Sequence, residues 1–190
     1  MSYGTAATVI AESPFAVQTA PSELGHLAVA AQGGSLLAVC FGRTSAHAAL
    51  RYLNGQLARN VIALNDPSAT DEDDDLAAEI LDRLVRYAEG EPVDFSDIPV
   101  AADHLSPFQQ RVVRACRAIG RGKTRTYGEL AAAAGSPGAA RAVGQVMASN
   151  RTPLVVPCHR VVGASGSLGG FSAPQGIAMK RRLLMMESIE

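Results

Sequence analysis

Leu154-Val-Val-Pro-Cys-His-Arg-Val-Val162 is a strand-like apolar run broken at its centre by Pro157-Cys158-His159-Arg160. Apolar runs of this length bury themselves, so a polar cluster in the middle of one needs a reason. Thiolate is the reactive form of cysteine, and a neighbouring His or Arg stabilises the anion and lowers the thiol pKa. On an extended strand adjacent side chains point to opposite faces, so contact between Cys158 and His159 requires a turn at Pro157 or a bridging water. A buried structural cysteine is the usual fate of a free thiol, and the run by itself leaves that reading open beside the nucleophilic one.

Outward from this run the pattern is one of short helices. Ser106-Pro107 reads as a cap followed by a first-turn proline, and Phe108, Val112, Val113, Cys116 and Ile119 then recur at helical spacing until Gly120-Arg-Gly122. Thr126 caps a second helix, Tyr127 to Ala134, stopped by Gly135. Ser136-Pro137 is expected to start a third helix that runs to about Met147, with Ala140, Val143, Gly144 and Met147 on one face. Two short helices joined by a glycine-containing turn have the outline of a helix-turn-helix, a shape that arises often by chance.

The first half mixes strand and helix. Leu27–Ala31 and Leu36–Phe41 flank the turn signal Gln32-Gly33-Gly34, which predicts a hairpin containing Cys40. Ala46–Arg59 and Leu76–Ala88 have helical spacing. Between them the acidic run Asp71-Glu-Asp-Asp-Asp75 is expected in a solvated loop, Asp66–Asp75, entering the second helix. Pro92–Pro99 reads as an extended connector.

Composition bounds the function. The chain has 190 residues, 47% of them apolar, enough for a sizeable core. No window approaches the roughly 18 apolar residues of a membrane span, and the opening MSYGTAATVIAESPF lacks a basic start and an apolar signal core, which reads against export. The three cysteines, Cys40, Cys116 and Cys158, fit neither a disulfide framework nor a zinc knuckle. The overall charge of −1 conceals a strong asymmetry. Residues 1–103 carry 5 Lys+Arg against 15 Asp+Glu, a net −10, and residues 104–190 carry 12 against 3, a net +9. A basic half is the footprint of a polyanion-binding face, whether DNA, RNA or an acidic protein, and such binding should weaken with salt.

Pro157-Cys-His-Arg-Val-Val-Gly163, together with Tyr127-Gly-Glu-Leu-Ala131 and Ala139-Ala-Arg-Ala-Val-Gly144, closely resembles the O6-alkylguanine-DNA alkyltransferase family across residues 106–190. The resemblance implies a mixed α/β (α+β) fold. A small ribonuclease H-like α/β domain over residues 1–100 would serve as scaffold, packed on a mostly helical domain over residues 104–190 that carries the helix-turn-helix and the active site. The implied activity is DNA repair by stoichiometric, irreversible transfer of an alkyl group from O6-alkylguanine, with O4-alkylthymine as a further substrate, in double-stranded DNA. No cofactor or metal is expected, since Cys40, His26 and His47 are the only candidate ligands in the first half. A monomer without membrane partners is expected in the cytoplasm, associated with the nucleoid, or in the nucleus of a eukaryote.

Position by position, the resemblance makes Cys158 the alkyl acceptor, His159 the base that deprotonates it through a water, and Glu187 the carboxylate that orients the histidine. Tyr127 would assist base extrusion and protonate the departing purine. Arg141 would fill the gap left by the flipped base, with Ala140 and Gly144 letting the helix approach the minor groove closely. Arg151 stands where a proline is frequent and would add a phosphate contact. Asn150 matches the hinge asparagine, backbone groups of Val161 and Ser172 match contacts to the guanine edge, and Phe171 matches an aromatic that closes over the base. The segment Phe171-Ser-Ala-Pro-Gln-Gly176 is about two residues longer than usual, so the rim of the pocket should differ.

Three other readings compete. A lesion-sensing DNA-binding protein of the alkyltransferase-like kind would lack the motif cysteine, which is present. A cysteine hydrolase using Cys158 and His159 would turn over, whereas a thioether is stable to water. A helix-turn-helix regulator with an inert cysteine would keep full activity as Cys158→Ala.

Overall fold

A computed structural model of the chain describes residues 15–58 and 69–188. The opening stretch read for an export signal, Arg59 at the end of the first expected helix, and the part of the expected acidic loop before residue 69 lie outside the described residues. The chain divides into one compact unit running through Val93 and including Asp97–Ala101, and a second holding Asp94–Ser96 and everything from Ala102.

The first unit is built on three antiparallel strands in the order β1-β2-β3: β1 Ala16–Ala20, β2 His26–Gln32 and β3 Ser35–Arg43. The expected hairpin is β2–β3, closed at Gly33-Gly34 with Gln32 opposite Ser35. Strand β1 has no sequence signal because Gln18 and Thr19 interrupt its apolar pattern, yet both are buried, and the Thr19 hydroxyl donates to the Leu27 carbonyl at 2.6 Å. Helix α1, Ala46–Ala58, sets Ala49, Leu53 and Leu57 against Val17, Ala28, Ala30, Ala38 and Cys40. Helix α2, Asp71–Ala88, packs on β1 and β2. With helices covering it, the sheet is buried along almost every residue, which is why β2 and β3 read as continuous apolar runs. The proline-rich connector ends by joining this sheet, where Leu36 donates to the Pro99 carbonyl at 2.8 Å and accepts from Ala101 at 3.0 Å.

Helix α2 corrects the expected solvated acidic loop, because it begins at Asp71, five residues ahead of Leu76. The cause is a capping box: the Thr70 hydroxyl accepts from the Asp73 N–H, and the Asp73 carboxylate accepts from the Thr70 N–H. Four carboxylates in the first turn then sit on the favourable end of the helix dipole. Asp73 is buried and also accepts from the Gly34 N–H at 2.9 Å, which fastens the helix start to the β2–β3 turn. Burial alone would raise its pKa, but the hydrogen bonds from Gly34 and Thr70 outweigh it and hold the group below the usual carboxylate value. A depressed carboxylate stabilises the fold above its unfolded pKa, and that stability is lost as pH falls through the folded value. Asp73→Ala should therefore cost about 2 kcal/mol at neutral pH, and the deficit should shrink on acidification. Urea denaturation of both proteins at several pH values measures this.

The second unit is mostly helical. Helix α3, Pro107–Arg117, has the expected cap, a Ser106–Gln109 box with proline in the first turn. Strand β4, Arg125–Thr126, pairs in parallel with β5, Val161–Val162. Thr126 then caps α4, Tyr127–Ala133, through a box with Glu129. Helix α5, Ala140–Ala148, starts later than the Ser136-Pro137 signal implied. Pro137 and Gly138 instead occupy the centre of a turn in which Ala139 donates to the Ser136 carbonyl at 3.1 Å. Gly138 takes φ +88, the left-handed second position of a type II turn, which cannot continue into a helix. Helix α6, Ile177–Glu187, closes the chain. Val112, Cys116, Leu130, Val143, Val146 and Val161 form the core beneath the α4–α5 pair. Among the described residues no helix is long and apolar enough to cross a membrane.

Candidate active site

Only Val161 and Val162 of the central run are strand; Cys158–Arg160 form a single 3-10 turn. The chain enters it through Leu154 at φ 74 and a tight reversal in which Val156 donates to the Thr152 carbonyl at 2.8 Å. Cys158 then donates to the Val156 carbonyl at 2.8 Å and Arg160 to that of Pro157 at 2.9 Å. This is the turn at Pro157 that contact within the cluster requires. Cys158, His159 and Arg160 are all buried.

Helix α6 brings Glu187 to this turn from 28 residues away in sequence. Its Oε1 lies 2.9 Å from His159 Nε2. With Nε2 donating to the carboxylate, the basic nitrogen of the neutral ring is Nδ1. Burial pushes the His159 pKa down; the Glu187 carboxylate opposes this, while Arg160 and Lys180 add to it. Such a histidine is a neutral base at physiological pH.

Burial likewise raises the Cys158 pKa, against the Asn150 side chain, the Lys180 ammonium and the N–H groups of the turn, which favour the thiolate. The resting group is therefore a thiol that needs a base. Asn150 is well fixed for its part: its amide donates to the Val156 carbonyl at 2.9 Å and its Oδ1 accepts from the Thr152 N–H at 3.1 Å.

Cys158 opens onto a cavity of about 500 Å³ lined by Tyr127, Gly144, Met147, Ala148, Gly169, Gly170, Phe171 and Ser172. Gly144, Met147 and Ala148 fall on one face of α5 through their three- and four-residue spacing. Tyr127 stands between two glycines. A Cβ on Gly144 would lie 3.9 Å from its ring, and one on Gly169, at φ +65, would lie 3.3 Å from its hydroxyl. The Lys180 ammonium is 6.0 Å from the ring centroid.

The structure thus gathers Cys158, Tyr127, Phe171 and Ser172 at the cavity and pairs His159 with Glu187 in the interior at the same turn. Gly144 lies in the cavity wall beside Tyr127, about one helical turn along α5 from the exposed Arg141. Ala140 and Arg151 are half-buried near the two ends of that helix. Asn150 and Val161 are not in the lining: Asn150 acts on the turn, and the Val161 carbonyl accepts from Lys180 Nζ at 2.6 Å. Sequence reasoning missed Lys180, a lysine without exposed surface that looks in sequence like any basic residue of a surface helix. It also missed Arg160 as a partner of Glu187, and the cavity walls Met147, Ala148, Gly169 and Gly170. The signal for the last two was the pair of adjacent glycines before Phe171. Among the described residues no three His, Cys, Asp or Glu side chains gather as metal ligands.

Two family descriptions match the chain: "6-O-methylguanine DNA methyltransferase, ribonuclease-like domain" over residues 16–102, and "6-O-methylguanine DNA methyltransferase, DNA binding domain" over residues 107–189. A methylated-DNA–protein-cysteine methyltransferase of Mycobacterium tuberculosis strain H37Rv is 47% identical over 107 residues, 56% of this chain and 62% of the relative. The matched part thus spans less than two thirds of the mycobacterial relatives. One of the same name from Methanosarcina acetivorans is 39% identical over 140 residues, 73% of this chain and 85% of the relative. The crystal structure of Mycobacterium tuberculosis OGT in complex with DNA is 35% identical, superimposes with a TM-score of 0.65, and is covered to 91% by 90% of this chain. With both halves matched in order and the cysteine turn set at a cavity in the second, the chain belongs to the 6-O-methylguanine DNA methyltransferase family.

Proposed function

We propose that this protein repairs double-stranded DNA by moving the alkyl group of O6-alkylguanine, and of O4-alkylthymine, onto its own Cys158. The observation that carries the reading is a thiol at the wall of a cavity with a buried His–Glu pair beside it. The O6 atom is out of reach inside a base stack, so the damaged nucleotide must be extruded into the cavity. Arg141 on the exposed face of α5 fills the vacated space, Ala140 lets that helix approach the minor groove, and Arg151 contacts phosphate.

In the reaction His159 takes the Cys158 proton through a water, and Glu187 holds the imidazole and stabilises its charge. The C–S bond forms as the bond from the alkyl carbon to O6 breaks. Tyr127 supplies a proton to the departing purine. Ser172 and backbone groups of the turn hold the guanine edge, Phe171 closes over the base, and Asn150 keeps the turn in shape; Val161, outside the cavity wall, acts through the turn by its bond to Lys180. The thioether is stable, so each chain acts once and no cofactor takes part. Residues 104–190 carry DNA binding and chemistry, residues 1–100 serve as scaffold, and the protein acts as a cytoplasmic monomer on the nucleoid.

Intact-mass spectrometry after incubation with duplex DNA containing one O6-methylguanine tests this. The expected result is a gain of one methyl mass, limited to one per chain. Binding of the lesion without a mass gain would instead make the protein a sensor. Gly169→Ala should slow the transfer about tenfold, since a Cβ at that left-handed position pushes on the Tyr127 hydroxyl and displaces one donor hydrogen bond. Single-turnover rates at saturating protein measure the effect.

A further inference from the structure

Arg160 carries a charge in the network around Glu187 that the mechanism above leaves unused. It leaves the same turn as Cys158 and His159, and its guanidinium forks onto the carboxylate: Nε donates to Oε2 at 2.9 Å and Nη2 to Oε1 at 2.8 Å. Oε1 is the oxygen that also meets His159 Nε2. Nη1 donates to the Ile119 carbonyl, which grips the fork from a second side. The Glu187 side chain has no exposed surface and that of Arg160 has 10%.

The charged groups facing the imidazole are Glu187 and Lys180 from α6 and Arg160 from its own turn. The Cys158 thiol in turn acts on Cys116 of α3 and Tyr127 of α4, raising the pKa of both. A carboxylate beside a histidine ordinarily stabilises the imidazolium. Here the same carboxylate is already matched by a guanidinium through two charge-assisted hydrogen bonds. A proton on His159 would set a second cation on one buried anion, with Lys180 as a third, in a medium that solvates none of them.

We propose that Arg160 is a positioning residue that holds Glu187 for His159 and, by matching its charge, keeps His159 a neutral base until the Cys158 proton reaches it. The inference rests on the alkyl-transfer reading for its consequence and on the hydrogen-bond geometry alone for its substance. Without Arg160, the buried carboxylate would recruit a proton onto His159 as its replacement counter-ion.

The test is an NMR titration of the four histidines in the full chain without DNA, with His159 assigned by difference against His159→Gln. In the unsubstituted protein His159 should show the neutral ring throughout the pH range of folding. In Arg160→Met its midpoint should rise by about 1 pH unit or more, and the acid limb of the alkyl-transfer rate should move up with it. Arg160→Lys should restore the neutral ring by restoring the charge. The double variant Arg160→Met/Glu187→Gln, which removes the guanidinium and the carboxylate together, should restore it as well. An imidazolium at neutral pH in the unsubstituted protein, or a folded Arg160→Met in which His159 stays neutral as before, overturns the proposal. Either result can coexist with full methyl transfer, whereas absence of transfer in the unsubstituted protein overturns the alkyl-transfer reading and leaves the titration of His159 as evidence on Arg160.

Discussion

Cys158→Ser should abolish the methyl mass gain completely while leaving binding to duplex DNA in place. The substitution changes one atom at a buried site, so the turn, its hydrogen bonds and the cavity should persist. What disappears is the proposed nucleophile. A serine hydroxyl is far less acidic than a thiol, and a buried His–Glu pair arranged to accept a thiol proton does not make an alkoxide good enough to displace guanine from a saturated carbon. The loss should therefore be of the chemical step, with no turnover detectable over hours. Full transfer by the serine protein would move the acceptor to Cys40 or Cys116. Both are buried thiols whose pKa values burial raises, and neither lines the cavity.

Glu187→Ala should be the most destabilising single change in the second unit. It deletes the partner of Arg160 and of His159 together, and it leaves a guanidinium in the interior with its countercharge gone. Breaking one side of a buried ion pair typically costs about 3–5 kcal/mol, against a total stability of roughly 5–15 kcal/mol for a domain. The urea midpoint should fall by a large fraction with an unchanged slope. Transfer should also fall, and more than the unfolded fraction explains, because His159 loses the group that selects its tautomer. An unfolding free energy within about 0.5 kcal/mol of the parent protein's would mean that Arg160 finds another anion or reaches solvent.

The contrast between these two residues shows what was legible in the sequence. Cys158 stands in a local pattern: a proline, a thiol, a histidine and an arginine inside an apolar run announce themselves within four positions. Glu187 has no such context in Leu183-Leu-Met-Met-Glu187, and only the motif resemblance pointed to it. The caps were equally local. Ser106 with Gln109 and Thr126 with Glu129 are pairs three residues apart, and both helices begin where those pairs say. The box of Thr70 with Asp73 has the same spacing, but Asp73 sits inside a run of like charges that reads as solvated chain. Its decisive partner, the N–H of Gly34, is 39 residues distant.

Local chemistry in the sequence by itself determined the hairpin, the helix starts at Ser106 and Thr126 and the polar cluster at Cys158, because each depends on groups within a few positions of one another. Tertiary structure alone decided which groups share a buried dielectric. It set Lys180 without solvent, turned Gly144 and Gly169 against Tyr127, and joined Arg160 to the carboxylate that holds His159. A charge acquires its energy from what replaces water around it, and that replacement comes from segments far apart along the chain.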